Sequence, residues 1–130
     1  MNLINKTDSI FIAGHKGMVG SAIKKSLEQN GYNNLLITNR ANLDLADNKA
    51  VSSWFKRNQP KVVILAAAKV GGIAANEKYP ADFILENLKI QTNIIENAWK
   101  NKTKRFLFLG SSCIYPKFAK QPLKEEYLLN

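Results

Sequence analysis

The sequence predicts an α/β chain built on a doubly wound parallel sheet. Three observations carry that expectation. Short apolar runs alternate with longer segments of helical spacing. The runs are apolar at consecutive positions, as strands buried on both faces require. A glycine-rich segment, Gly14-His15-Lys16-Gly17-Met18-Val19-Gly20, joins the first run directly to the first helical segment.

Residues 9–13 read as a short buried strand ending in glycine. Residues 18–30 follow helical spacing, with Val19, Ile23 and Leu27 at steps of four, and Gly31 supplies the stop. Residues 35–38 form a second strand and residues 43–45 a very short third. Asp47 is a candidate N-cap for a helix to Asn58 with Val51, Trp54 and Phe55 on its apolar face. Pro60 ends that helix. Residues 61–68 form another buried strand, whose tail of alanines suits close approach by a ligand or a neighbouring backbone. After the Gly71-Gly72 loop, Pro80 starts a long helix to about Trp99. Its apolar face is broad: Phe83, Ile84, Leu88, Ile94, Ile95, Ala98 and Trp99. One stripe of it can cover the sheet, and the remainder could meet a second subunit. Residues 106–109 are the last buried strand. Right-handed crossovers give the strand order 3-2-1-4-5, and no linker divides residues 1–130.

Bulk properties narrow the function. The hydrophobic fraction of 45% and charged fraction of 22% are those of a globular protein rather than a disordered one. The net charge of +9 invites a nucleic-acid reading. The lysines and arginines are scattered, however, with no basic block and no interleaved aromatics, so no nucleic-acid partner is expected. A polyanionic small ligand accounts for part of the excess and a lysine-rich proteome for the rest. The polar N-terminus is not a signal peptide. The longest apolar run, residues 62–68, is too short to span a bilayer, so no membrane partner is expected. A single cysteine, Cys113, excludes an internal disulfide and fits the cytoplasm.

The placement of the glycine segment between strand and helix gives it meaning. The first glycine permits a tight turn, the second lets backbone approach a pyrophosphate, and the third lets the helix pack close to the strand. The helix N-terminus offers free N–H groups and the positive end of its dipole. This is the fingerprint of a dinucleotide-binding Rossmann domain. At the end of the second strand, where an NAD site often carries an acid, stand Thr38-Asn39-Arg40. Arg40 can pair bidentately with a 2′-phosphate, and Lys16 adds a second cation. Both favour NADP(H) as cofactor. Asp44 could bind the adenine amino group or stabilise a turn; the residues alone support either.

Four segments go beyond the fold: residues 12–22, Leu65-Ala66-Ala67-Ala68-Lys69-Val70-Gly71-Gly72-Ile73, Tyr79-Pro-Ala-Asp-Phe-Ile84, and Leu107-Phe-Leu109-Gly110-Ser111-Ser112-Cys113-Ile-Tyr115-Pro-Lys117. Together they resemble the GDP-L-fucose synthase family, extended short-chain dehydrogenase/reductases. The resemblance runs from about Ile10 to Asn130. It implies an NADPH-dependent 3,5-epimerase and 4-reductase acting on a nucleotide sugar, GDP-4-keto-6-deoxy-mannose, and a homodimer for the full-length protein. It places Gly14, His15, Lys16, Gly17, Met18, Val19, Gly20, Arg40, Asp44, Leu65, Ala66, Ala67, Ala68, Leu109 and Gly110 at the cofactor. It assigns Ser111 to the C4 carbonyl, where a hydroxyl stabilises charge as hydride arrives; on the residues alone Ser112 is an equal candidate. It assigns Cys113 to epimerisation, as the base that removes a proton beside the ketone. A free thiol has a pKa of about 8.5 and needs local help for that task. Read without the resemblance, Cys113 is a buried structural thiol, and His15 is a loop residue packing locally. The family's Tyr-x-x-x-Lys pair, its partner histidine and its C-terminal substrate domain have no counterpart in residues 1–130. The expectation is therefore an N-terminal part, inactive by itself. Rival readings are another nucleotide-sugar epimerase or dehydratase of the same superfamily, and a noncatalytic NADP-binding module.

Overall fold

The computed structural model describes residues 3–128. Strand β1 (Ile10–Ala13) lies in the middle of the sheet, paired in parallel with β2 (Leu35–Leu36) on one side and β3 (Val62–Leu65) on the other. Strand β4 (Arg105–Phe108) pairs in parallel with β3, giving the order β2-β1-β3-β4. This is the expected order without its outermost strand. Residues 43–45 form no strand. After Asn39 the chain turns: the Asn39 carbonyl accepts from Leu43 N–H at 3.0 Å and the Asn39 side chain from Asn42 N–H at 3.0 Å. That turn carries Leu43 into the core, where it is buried, instead of along the sheet edge.

The period-two alternation of the strands divides the core. Ile10, Ile12, Val62 and Ile64 face helix α1 (Met18–Gln29) and pack with Ile23 and Leu27. Val19, expected on the same stripe, is exposed: it sits in the first turn, beyond the end of β1. Phe11, Val63 and Leu65 face the other way, toward α2 (Asn48–Asn58) and α4 (Pro80–Lys100). Phe11 contacts the rings of Trp54 and Phe55, with centroids 4.2 and 5.9 Å away. Each such pair adds about 0.5–1.5 kcal/mol beyond area burial.

Helix α2 begins as expected at Asp47, whose carboxylate accepts from Lys49 N–H at 2.9 Å and Ala50 N–H at 3.2 Å. It ends at Gln59, in the left-handed conformation with φ of 42° ahead of Pro60. A short helix not anticipated from the sequence, α3 (Ile73–Lys78), precedes α4. In α4, Ile90, Asn93, Ile94, Asn97 and Ala98 are buried, while Ile84, Leu88, Ile95 and Trp99 are exposed. The broad apolar face is thus split into a covered and an uncovered stripe. Strand β4 departs from expectation. All four of its residues are exposed, because β4 is an edge strand with no neighbour beyond it among the described residues.

Candidate functional site

The parallel register aligns the C-terminal ends of three strands. Ala13 pairs with Leu65, and Leu65 with Phe108, so the segments starting at Gly14, Ala66 and Leu109 emerge side by side. Ala66 N–H donates to the Ala13 carbonyl at 2.9 Å, and Leu109 N–H to the Leu65 carbonyl at 3.2 Å. In an open parallel sheet this edge is where ligands bind.

A cleft of about 270 Å³ opens there. Gly14, His15, Lys16 and Gly17 form one wall, Ala67, Ala68 and Lys69 the second, and Thr38, Asn39, Arg40 and Asp44 close the end beside β2. Leu43, Ile90 and Phe11 contribute the apolar floor. Eight of the residues expected at a cofactor line the cleft: Gly14, His15, Lys16, Gly17, Arg40, Asp44, Ala67 and Ala68. The others lie around it. Gly20 is buried beneath the loop, Leu65 is in the core, Met18 and Val19 are exposed on the first turn of α1, and Ala66, Leu109 and Gly110 continue the strands.

The loop's shape is fixed by its glycines. Gly14 adopts φ of +92°, and a Cβ there would lie 2.7 Å from the Ala66 carbonyl carbon and oxygen. A Cβ on Gly20 would lie 2.1 Å from the Gly14 carbonyl oxygen. The first and third glycines are therefore needed for packing of backbone on backbone. Gly17 differs: its nearest neighbour would be the Gly14 oxygen at 3.4 Å, and its open side faces the cleft. Gly17 is also the N-cap of α1, which has no side-chain cap and no acidic residue in its first turn. The first N–H groups of such a helix, with the dipole behind them, suit an anionic group. Among the described residues, His15 Nδ1 is the buried side-chain polar atom without a hydrogen-bond partner. A buried unpaired donor or acceptor at a cleft is where a ligand or water completes the bonding. Uncapped helix, glycine opening and unpaired His15 all fit a bound pyrophosphate.

Charge in the cleft is mixed. Lys16, Arg40 and Lys69 stand against Asp44 and Glu86. Glu86 is the residue that sequence reasoning missed. It projects from α4 and accepts from Arg40 at 2.9 Å and from Lys69 at 2.9 Å. Its hydrogen bond from Lys69, aided by both positive charges, holds the carboxyl below its ordinary range. The available signal was its spacing of four from Ile90, which puts both on one helix face. Asn87 clamps the second wall to α4: its side chain accepts from Lys69 N–H at 2.7 Å and donates to the Lys69 carbonyl at 2.9 Å. Asp44 accepts from Ala46 N–H at 3.0 Å, the turn role left open by the sequence, while also lining the cleft.

Ser111 and Cys113 follow β4 at the same sheet edge but do not line this cleft. Ser111 Oγ accepts from Cys113 N–H at 3.1 Å, which ties the two into one turn. Cys113 is exposed. The buried structural thiol favoured by residue statistics is thus corrected: the short 3₁₀ segment that carries it, Ser112–Ile114, lies past the uncovered edge strand.

Fold and loop together define a Rossmann-like α/β domain. The chain belongs to the NAD dependent epimerase/dehydratase family, whose model matches residues 10–130. GDP-L-fucose synthase 1 of Arabidopsis thaliana is 55% identical over 128 residues, covering 98% of this chain and 40% of the plant protein. GDP-L-fucose synthase of Escherichia coli is 56% identical over 120 residues, covering 92% of this chain and 37% of the bacterial one. Among solved structures, a GDP-mannoheptose C4 reductase of Campylobacter jejuni with NADP bound superposes with a TM-score of 0.91 at 46% identity, covering 97% of this chain and 40% of that one. This chain therefore spans about 40% of the length of such relatives. No helix among the described residues is long and apolar enough to cross a membrane.

Proposed function

We propose that residues 1–130 form the NADP(H)-binding domain of a GDP-sugar epimerase-reductase, with GDP-4-keto-6-deoxy-mannose as substrate and GDP-L-fucose as product. The observation that carries this reading is the cleft itself: a glycine-walled helix N-terminus with Lys16 in its loop, and Arg40 at the end beside β2. Fucose synthases 55% and 56% identical to this chain support that sugar.

In this reading the N–H groups of Met18 and Val19 bind pyrophosphate oxygens, while that of Gly17 closes the turn onto the Gly14 carbonyl at 2.9 Å, and His15 pairs its unpartnered Nδ1 with the ligand or a water. Arg40 and Lys16 hold the 2′-phosphate; Asp44 takes the adenine amino group. Leu65, Ala66, Ala67 and Ala68, with Leu109 and Gly110, shape the nicotinamide end, and Gly20 holds the loop in place beneath it. Bound NADPH supplies the hydride. Ser111 already accepts a backbone hydrogen bond from Cys113, so its own hydroxyl hydrogen is available to donate to a C4 oxygen gaining negative charge. Cys113, exposed, moves protons at the carbons beside the ketone. The uncovered α4 stripe of Ile84, Leu88, Ile95 and Trp99 supports pairing with a second copy.

Fluorescence titration with NADPH and NADH tests the assignment of Arg40. Arg40→Ala is expected to weaken NADPH by about tenfold, the scale of a charge-assisted pair, and to leave NADH within twofold. Equal weakening of both, or of neither, contradicts it.

A further inference from the structure

Helix α4 carries three carboxylates, Asp82, Glu86 and Glu96, and of these Glu86 lines the cleft. Its two oxygens serve different cations. Oε2 accepts from Lys69 Nζ at 2.9 Å, and Oε1 accepts from Arg40 Nη2 at 2.9 Å. The side chains of Glu86 and Lys69 are 20% and 33% exposed, that of Arg40 74%. Lys69 is in turn fastened through its backbone to Asn87, the next residue of α4. The carboxylate is therefore built into the cleft wall with a lysine of its own, and Arg40 reaches it from solvent.

We propose that Glu86 sets how strongly the cleft discriminates between dinucleotides with and without a 2′-phosphate, by competing with that phosphate for Arg40. The inference rests on the reading of Arg40 as the phosphate contact. A guanidinium captures an oxyanion best through two parallel N–H bonds. Nη2 belongs to both edges of the fork that can do this, so a carboxylate on Nη2 competes for at least one of them. A phosphate on the remaining edge lies within a few ångströms of a second negative charge, well inside the screening length of about 8 Å at physiological salt. Lys69 keeps Glu86 in place whether or not Arg40 remains with it, so the opposing charge does not leave when the ligand arrives. A dinucleotide lacking the 2′-phosphate meets no such competition.

Glu86→Gln keeps the side chain's size and one acceptor while removing its charge. Titration of the 130-residue chain with NADPH and NADH at fixed ionic strength reads the effect. The expected result is NADPH affinity higher by about three- to fivefold, the scale of an exposed ion pair, with NADH unchanged. The gain is expected to vanish in the Arg40→Ala background. Glu86→Met, which fills similar space, provides the same readout should the amide perturb folding. Weaker NADPH binding would mean that Glu86 positions Arg40 instead of opposing the phosphate. A parallel change for both dinucleotides, or a gain that survives without Arg40, would likewise overturn the proposal. Failure of the folded wild-type chain to bind either dinucleotide would strike the nucleotide-binding reading itself, a separate result.

Discussion

At the scale of single residues, the three glycines of the loop have different tasks, and substitution separates them. Alanine at Gly14 or Gly20 drives a Cβ to within 2.7 or 2.1 Å of backbone atoms that cannot swing aside. Overpacking of this kind costs about 1–3 kcal/mol, so both variants are expected to lower the urea midpoint. Gly17→Ala meets its nearest neighbour at 3.4 Å and keeps an ordinary backbone conformation, with φ of −71°. Its stability is expected to stay within about 1 kcal/mol of the wild type, while NADPH affinity falls because the methyl group occupies the pyrophosphate's approach. Equal destabilisation by all three would contradict this division. The glycine spacing was legible in the sequence because it sits between a buried strand and a helix. Glu86 was not: it lies among the apolar residues of α4, and only the fold brings it to Arg40, 46 positions away.

At the scale of elements, side-chain amides and carboxylates fasten the helices around the cleft. Asp47 caps α2, and Asp47→Ala is expected to cost about 1 kcal/mol. Asn93 is buried in α4; it donates to the Leu45 carbonyl at 2.9 Å and accepts from Asn48 at 3.0 Å. It thereby joins α4 to the loop holding Asp44 and to the start of α2. Asn93→Leu takes the side-chain donor from the Leu45 carbonyl, while the Asn48 amide keeps Glu96 at 3.2 Å; the loss is expected to destabilise by about 1–3 kcal/mol, measurable by urea unfolding. Three carboxyls are held below their ordinary values of 3.8 and 4.5: Asp8 by the Asn5 backbone N–H and Lys104, Glu86 by Lys69 and Arg40, and Glu96 by Lys100 and Asn48. Lowered values mean stability that is present above the unfolded-state range and lost as pH falls through the folded-state values. The urea midpoint is therefore expected to decline in acid below about pH 4.5, where the unfolded state begins to take up the extra protons. The Asp8→Asn, Glu96→Gln double variant should show a shallower decline. The Asp47 cap was readable from its position before a helical pattern. The Asn93 network was not, because buried asparagines carry no periodic signal and their partners come from distant turns.

At the scale of the whole molecule, alternating apolar runs and helical segments were enough to set the parallel sheet and the order of its central strands. What they missed has a common origin in the edges. Residues 43–45 have strand composition, but Asn39 turns the chain and Leu43 fills the core instead. Residues 106–109 look like a buried strand, and their apolar side chains would need cover on both faces, yet the described residues provide none beyond β4. Composition records what a strand is suited to contact; whether that contact lies within these residues is a property of the assembled sheet. The cleft depends on the interior part of the pattern: β1 and β3 are buried, in register, and both end at its walls. The central claim, that this cleft binds NADP(H), is tested most directly by isothermal titration of the 130-residue chain with NADPH and with NADH, alongside a circular-dichroism melt to establish that it is folded. One saturable site per chain with NADPH bound at least about tenfold more tightly than NADH is the result expected. A cooperatively melting chain that takes up neither dinucleotide, or prefers NADH, would contradict it.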